Sequence, residues 1–119
     1  MEQTQKLNLN GFSGTQEYHA GYLGVNLTDG SYFIGCNGAS WLITDMCSIL
    51  KIEPKVKVEE FISIKFKVIG KTAEVTYTDG NNKKLYTQTY KYTDFNKHFI
   101  ETEIQFFYTN NVLMLSQEY

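Results

Sequence analysis

Few side chains in this chain could make or break covalent bonds. The thiols are Cys36 and Cys47, and the imidazoles are His19 and His98. Nucleophilic catalysis needs a nucleophile, a base and a group that orients the base. Cys47 falls on the apolar stripe of an expected helix, where a thiol is inert and its pKa is raised. Cys36 sits in the run Gly35-Cys36-Asn37-Gly38, just before that helix, and a helix N-terminus can lower a thiol pKa. Cys36 is therefore the one nucleophile candidate, and His19 is the imidazole that could approach it. With Asp29 and Trp41 they could line the pocket of a small enzyme or ligand binder. The plainer reading is a loop cysteine and a surface histidine, so no catalytic residue is assigned.

Metal and phosphate chemistry have weaker signals. His19 and His98 are isolated, with no HxxxH, CxxC or DxDxDG spacing. Two cysteines eleven apart do not make a zinc site, which needs four ligands at tight spacing. Thr-Asp-Gly occurs twice, at 28–30 and 78–80, but a calcium loop needs more oxygen ligands at alternating positions. No Walker loop or GxGxxG is present. Gly35-Cys36-Asn37-Gly38 could offer backbone N–H groups to an anion, yet it lacks the Lys and Ser/Thr of a P-loop and reads as a helix entry. No metal and no cofactor is expected.

The elements that would position these residues fall into two textures. Residues 7–38 carry seven of the nine glycines. Ser13-Gly14-Thr15-Gln16 has capping-box spacing and predicts a short helix over about 14–20. Leu23 to Leu27 reads as a short strand, Thr28-Asp29-Gly30-Ser31 as a turn, and Tyr32-Phe33-Ile34 as a resumed apolar run. The strongest helix spans 39–52. Ala39, Leu42, Ile43, Met46, Cys47, Ile49 and Leu50 form its apolar stripe, and Ser40, Thr44, Ser48 and Lys51 its wet face. Asn37 or Ser40 is the expected cap, and the single proline, Pro54, follows its end.

After Pro54 the texture is β. In 61–69, Ile62, Ile64, Phe66 and Val68 alternate with Ser63, Lys65 and Lys67. In 72–78, Ala73, Val75 and Tyr77 alternate with Thr72, Glu74, Thr76 and Thr78, and Gly70-Lys71 suits a tight hairpin. Leu85–Tyr92 is a third strand. Phe99–Tyr108 is a fourth, with Ile100, Ile104 and Phe106 on one face and Glu101, Glu103 and Gln105 on the other. Val112–Leu115 is the last. The expected fold is α+β, a curved antiparallel sheet of about five strands packed on one main helix. On its wet face Lys65 and Lys67 could lie across from Glu74 or Glu101. The whole of 1–119 forms a single domain, and 1–6 is a polar flexible arm.

Composition narrows the partner. The chain has 119 residues, eleven lysines, no arginine, thirteen acidic residues and a net charge of −2. Arginine supplies the bidentate fork for guanine edges and phosphates, so nucleic acid is disfavoured as a partner. No apolar run reaches the roughly 18 residues of a membrane helix, and the N-terminal stretch is not a signal peptide. With no membrane segment and two cysteines, the expected location is the cytoplasm, with reduced thiols.

Aromatic residues make up 15% of the chain, enough to ask where they point. Tyr86, Tyr90 and Tyr92 are expected on one strand face around Gln88, and Tyr18, Tyr22 and Tyr32 in the glycine-rich half. Tyrosine has high β-propensity and also suits protein interfaces. A stacked aromatic face could also bind single-stranded nucleic acid, which would need a positive groove.

Phe12-Ser13-Gly14-Thr15, Tyr18-His19, Leu27-Thr28-Asp29-Gly30 and the run Gly38-Ala39-Ser40-Trp41-Leu42-Ile43-Thr44-Asp45 resemble an uncharacterised family of small bacterial and mobile-element domains. The ending Val112-Leu113-Met114-Leu115-Ser116-Gln117-Glu118-Tyr119 is similar to that family's ending. The resemblance implies a prokaryotic or phage origin and carries no catalytic residue with it. The leading functional expectation is a non-enzymatic protein-binding module. It extends to a phage or mobile-element inhibitor of a host defence complex of the CRISPR type, acting as a monomer or homodimer. Tyr86, Tyr90, Tyr92, Glu101, Glu103, Tyr18 and Tyr22 are the expected contacts, the acidic ones meeting a basic surface on the partner. The alternatives are an enzyme or ligand binder in the glycine-rich half, and a single-strand binder on the tyrosine-bearing sheet face.

Overall fold

The structure, a computed structural model, describes residues 6–15 and 17–119. The expected arm over 1–6 therefore lies outside the described residues except for Lys6, as does Gln16 of the expected capping box.

The two best-patterned regions fold as expected. The strand β3 (Phe61–Ile69) pairs antiparallel with β4 (Thr72–Thr78), joined through Gly70 at φ 62°. Ile62, Ile64 and Phe66 are fully buried, while Lys65 and Lys67 are exposed. Strict alternation sends one side of each strand inward, so a one-residue slip would put Phe66 in water. The helix that covers this apolar face spans Ser40–Ile52 and buries Leu42, Ile43, Met46, Cys47 and Leu50. Its N-cap is Ala39, with no side-chain cap. Neither Asn37 nor Ser40 caps it; the Asn37 amide instead donates to the Phe33 carbonyl at 2.7 Å.

The sheet has seven strands rather than five. Around β3 and β4 stand β5 (Lys84–Tyr90), β6 (Glu103–Thr109) and β7 (Val112–Leu115). The glycine-rich half adds β1 (His19–Ala20) and β2 (Asn26–Leu27), giving the order β1-β2-β7-β6-β3-β4-β5. The β2–β7 pair is parallel, so the sheet is mixed. Lys67 lies opposite Glu74 on β4 and Glu103 on β6; Glu101 is outside the sheet.

The other corrections follow from packing that overrides local pattern. The expected helix over 14–20 is absent over 17–20, where β1 forms against β2, and a 3-10 turn (Tyr22–Gly24) replaces the expected strand start. The expected turn at 28–31 is the start of a helix, α1 (Asp29–Cys36); the helix over Ser40–Ile52 is then α2. Thr28 caps α1 and Asp29 lies in its first turn, where a carboxylate is favoured. Two glycines in eight residues make α1 a poor helix by propensity. Distant residues hold it. The Ser31 hydroxyl donates to the Leu113 carbonyl at 2.8 Å. The Gly30 N–H donates to Glu118 Oε2 at 3.0 Å, and the Thr28 hydroxyl donates to Glu118 Oε1 at 2.7 Å. A Cβ on Gly30 would stand 2.5 Å from both Glu118 Oε1 and the Leu115 side chain, so a larger residue would push the Glu118 carboxylate off its place.

The cover on the sheet is therefore shared. After α2 come two single-turn helices, α3 (Pro54–Lys57) and α4 (Phe95–His98). The expected strand from Phe99 to Tyr108 begins only at Glu103. Phe95 and Phe99 stack at 4.6 Å in the core, and Ile100 is 54% exposed rather than inward. Leu7 forms a parallel bridge with Phe99, and Glu101 Oε2 accepts from the Leu9 N–H at 2.9 Å.

Candidate functional site

Once residues 29–36 are helical, Asp29, Tyr32 and Cys36 stand at i, i+3 and i+7 on one face. The short β1–β2 ladder, with His19 opposite Leu27, brings an imidazole over that face. His19 Nε2 lies 2.9 Å from Asp29 Oδ1. The imidazole stacks on the Tyr32 ring with centroids 3.9 Å apart and planes within 5°. The Asp29 N–H donates to Thr15 Oγ1 at 2.9 Å, which fixes the start of the helix beneath the pair. The nearby Cys36 side chain pushes the Tyr32 hydroxyl above its ordinary pKa. A carboxylate and an imidazole are thus joined, a phenol stacks on the imidazole, and a thiol follows one turn later on the same helix. The sequence reading of Cys36 as a loop cysteine and His19 as a surface histidine differs from the structure, where Cys36 ends α1 and His19 meets Asp29 and Tyr32.

Beside this row opens a cleft of about 350 Å³ between α1, α2 and the 3-10 turn. Gly21, Tyr22, Leu27, Tyr32, Cys36 and Ile43 are among its walls. The rim is aromatic and apolar. Tyr22 and Tyr32 line the cleft and stand 51% and 42% exposed, and Tyr18 and Leu23, next to His19 and Tyr22 in the chain, are 61% and 43% exposed. Leu23 has φ 56°, in the left-handed region that a branched apolar residue rarely occupies. A larger open hollow of about 640 Å³ lies between Lys51, Lys57, Glu60 and Asn110. It has no thiol or imidazole in its wall, so size alone does not make it the better candidate.

The tyrosines of β5 do not form an open face. Tyr86 lies opposite Tyr77, which is fully buried, and the side chains of Tyr86 and Tyr90 pack against the core. The Tyr90 hydroxyl donates to Asp45 Oδ2 at 2.8 Å, and its ring meets Trp41 edge-on at 5.1 Å. Tyr77 donates to Gln88 Oε1 at 2.8 Å. Burial, first of all, pushes the Tyr77 and Tyr90 hydroxyls well above the ordinary tyrosine range. Tyr92 is 63% exposed but lies beyond the end of β5. Tyr86, Tyr90 and Tyr92 therefore do not share one face.

The remaining named residues scatter. Trp41 faces Phe66 and Tyr90 and takes no part in the cleft at Cys36. Glu103 is exposed on the sheet, while Glu101 holds the Leu9 backbone. Cys47 is buried, and burial pushes its thiol up. Of the expected contacts, Tyr22 lines the cleft with Tyr32, and Tyr18 is exposed next to His19. Leu23, expected as the start of a short strand and not as a site residue, lies in the 3-10 turn instead.

Among the described residues there is no group of three or more His, Cys, Asp or Glu able to hold a metal ion. No helix there is long and apolar enough to cross a membrane. No curated protein and no solved structure matches the chain. A family model described as a family of unknown function (DUF6876) matches residues 3–119. With nearly its full length matched, the chain belongs to that uncharacterised family.

Proposed function

We propose that this protein is a binding module for another protein and that the rim of the cleft is its recognition surface. One observation carries the reading: Tyr22 and Tyr32 line the cleft and stand exposed, with exposed Tyr18 and Leu23 adjoining in the chain and Leu23 in a left-handed backbone. Tyrosine combines apolar area with a polar tip and loses little rotamer entropy on binding, which suits a contact surface. Leaving such side chains in water gains nothing for folding, whereas the sheet tyrosines are drawn inward. The acidic residue beside the rim is Asp29, already engaged by His19, so the contact is aromatic before it is ionic. The narrower reading of a host-defence inhibitor has no feature of its own in the fold.

The test is site-specific photocrosslinking in the producing cell. A benzophenone side chain replaces Tyr18 or Tyr22 in one set and Lys65, on the open sheet face, in another. A discrete protein adduct from the rim positions alone is the expected result. Adducts from Lys65 only, or none from any position, would remove the reading.

A second reading is favoured by the His19–Asp29 pair and the stacking of His19 on Tyr32 beside the cleft. These are the parts of a small ligand-handling site in the glycine-rich half.

A further inference from the structure

The two edges of the sheet differ greatly in length. At one end lies β1, with two residues, and at the other lies β5, with seven. β5 pairs with β4, and its outer edge meets no other strand among the described residues. Sheets commonly blunt a long edge with proline, inward charges, a bulge or a covering segment. From Leu85 to Tyr90 there is no proline and no charged residue. The one irregularity in the β4–β5 ladder, between Tyr77 and Thr78, falls at the Lys84 end. Within the stretch, Tyr86-Thr87-Gln88-Thr89-Tyr90 reads the same in both directions. Folding of one copy does not require that symmetry, since Thr87 and Thr89 are exposed while Tyr86, Gln88 and Tyr90 are half-buried.

We propose that a second copy of this chain occupies the β5 edge, adding its own β5 antiparallel about a two-fold axis through Gln88. A two-fold interface is isologous, so each contact occurs twice with the roles exchanged. About Gln88 the palindrome sets Thr87 against Thr89 and Tyr86 against Tyr90, twice each, and Gln88 against itself. Threonine pairs and aromatic pairs are among those that stabilise neighbouring strands. No lysine faces a lysine, because Lys91 comes opposite Leu85 and Lys84 opposite Tyr92. Opposed residues share a face, so the threonine pairs lie on the open side and both α2 helices on the other, over one continuous sheet. The pairing also uses side chains that a single copy leaves in water. Val58, 70% exposed, lies with Lys84 and Leu85 around a hollow at one end of the edge, and Tyr92, 63% exposed, lies just past the other end. Antiparallel addition carries the Tyr92 end of each copy to the Val58 end of the other. A foreign strand would form the same backbone bonds but would draw nothing from a palindrome. β5 and the β1–β2 ladder stand at opposite ends of the strand order, so the dimer leaves the cleft rim open and either proposal can fail alone.

The experiment is sedimentation velocity on the full chain over a wide concentration range, where a reversible dimer is expected. The double change Thr87→Lys with Thr89→Lys sets lysine against lysine twice across the axis, and the dimer dissociation constant should rise at least roughly tenfold. Thr87→Lys with Thr89→Glu sets lysine against glutamate at the same two places and should dimerise at least as tightly as the wild type. A wild type that stays monomeric at every concentration overturns the proposal, including the case in which a foreign strand takes the edge. So does a dimer that the two lysines leave intact, or one that both double changes split alike. If either double change lowers the melting temperature, hydrogen exchange of the wild type decides instead. Amide protection over 85–90 should rise with protein concentration while that of β1 does not, and protection independent of concentration overturns the proposal.

Discussion

The tyrosines of the two halves are used in opposite ways. In the β-rich half, Tyr77, Tyr86 and Tyr90 lie beneath or beside α2, and the hydroxyls of Tyr77 and Tyr90 find Gln88 and Asp45. In the glycine-rich half, Tyr18, Tyr22 and Tyr32 stand at the surface around a cleft. Residue type is the same, so burial is decided by the element that carries it. A strand with a covered face draws every second side chain inward. Two-residue strands and a 3-10 turn have no covered face and leave their aromatics outside. The β-rich half carries the covered core, and the glycine-rich half leaves its aromatics in solvent, where loops commonly carry function.

Phe66→Ala should break the scaffold and with it the comparison. Phe66 is fully buried between Trp41 and Phe95, so its loss should cost about 3–5 kcal/mol, read by urea unfolding, and melt both halves together. Glu118→Ala should be smaller and local. It removes the acceptor of Gly30 N–H, Thr28 hydroxyl and Leu115 N–H, and about 2–3 kcal/mol is expected. Hydrogen exchange should quicken in α1 and β2 while β3 and β4 keep their protection; uniform quickening would show that the halves are not separable.

Tyr90→Phe probes the buried side at high pH. Raised folded-state values for Tyr77 and Tyr90 mean stability that is fully present below the ordinary tyrosine value near 10 and is lost as pH rises past it. Thermal melts between about pH 9 and 11 should fall for the wild type. They should fall less steeply for Tyr90→Phe, whose melting temperature at pH 7 drops by only a few degrees. The smallest effect on stability is expected from Tyr22→Ser, within about 0.5 kcal/mol by thermal melt. The same change should abolish the rim crosslink from a probe at Tyr18. A large stability loss would mean that Tyr22 belongs to the scaffold after all.

What the sequence made legible follows the same division. In β3 and β4 each residue's side is dictated by its neighbours two away, and in α2 by those three and four away, so pattern alone suffices. The sequence around α1 has no such redundancy. Asp29-Gly30-Ser31 looks like a turn until Leu113 and Glu118, more than 80 residues later, accept its hydrogen bonds. The site suffered from the same shortfall. His19, Asp29 and Cys36 were each visible as chemistry, but Asp29, Tyr32 and Cys36 share a face only when 29–36 is wound into a helix. On β5, alternation put Tyr86 and Tyr90 on one face correctly. Which face α2 would cover was not written locally.

The clasp between Gly30 and Glu118 also bears on how the chain matures on the ribosome. The Gly30 N–H and the Thr28 hydroxyl have no Glu118 carboxylate to meet until β7 and the turn that follows have been made. The scaffold can condense as it emerges, but the segment bearing Cys36 stays immature until residue 118 has cleared the exit tunnel.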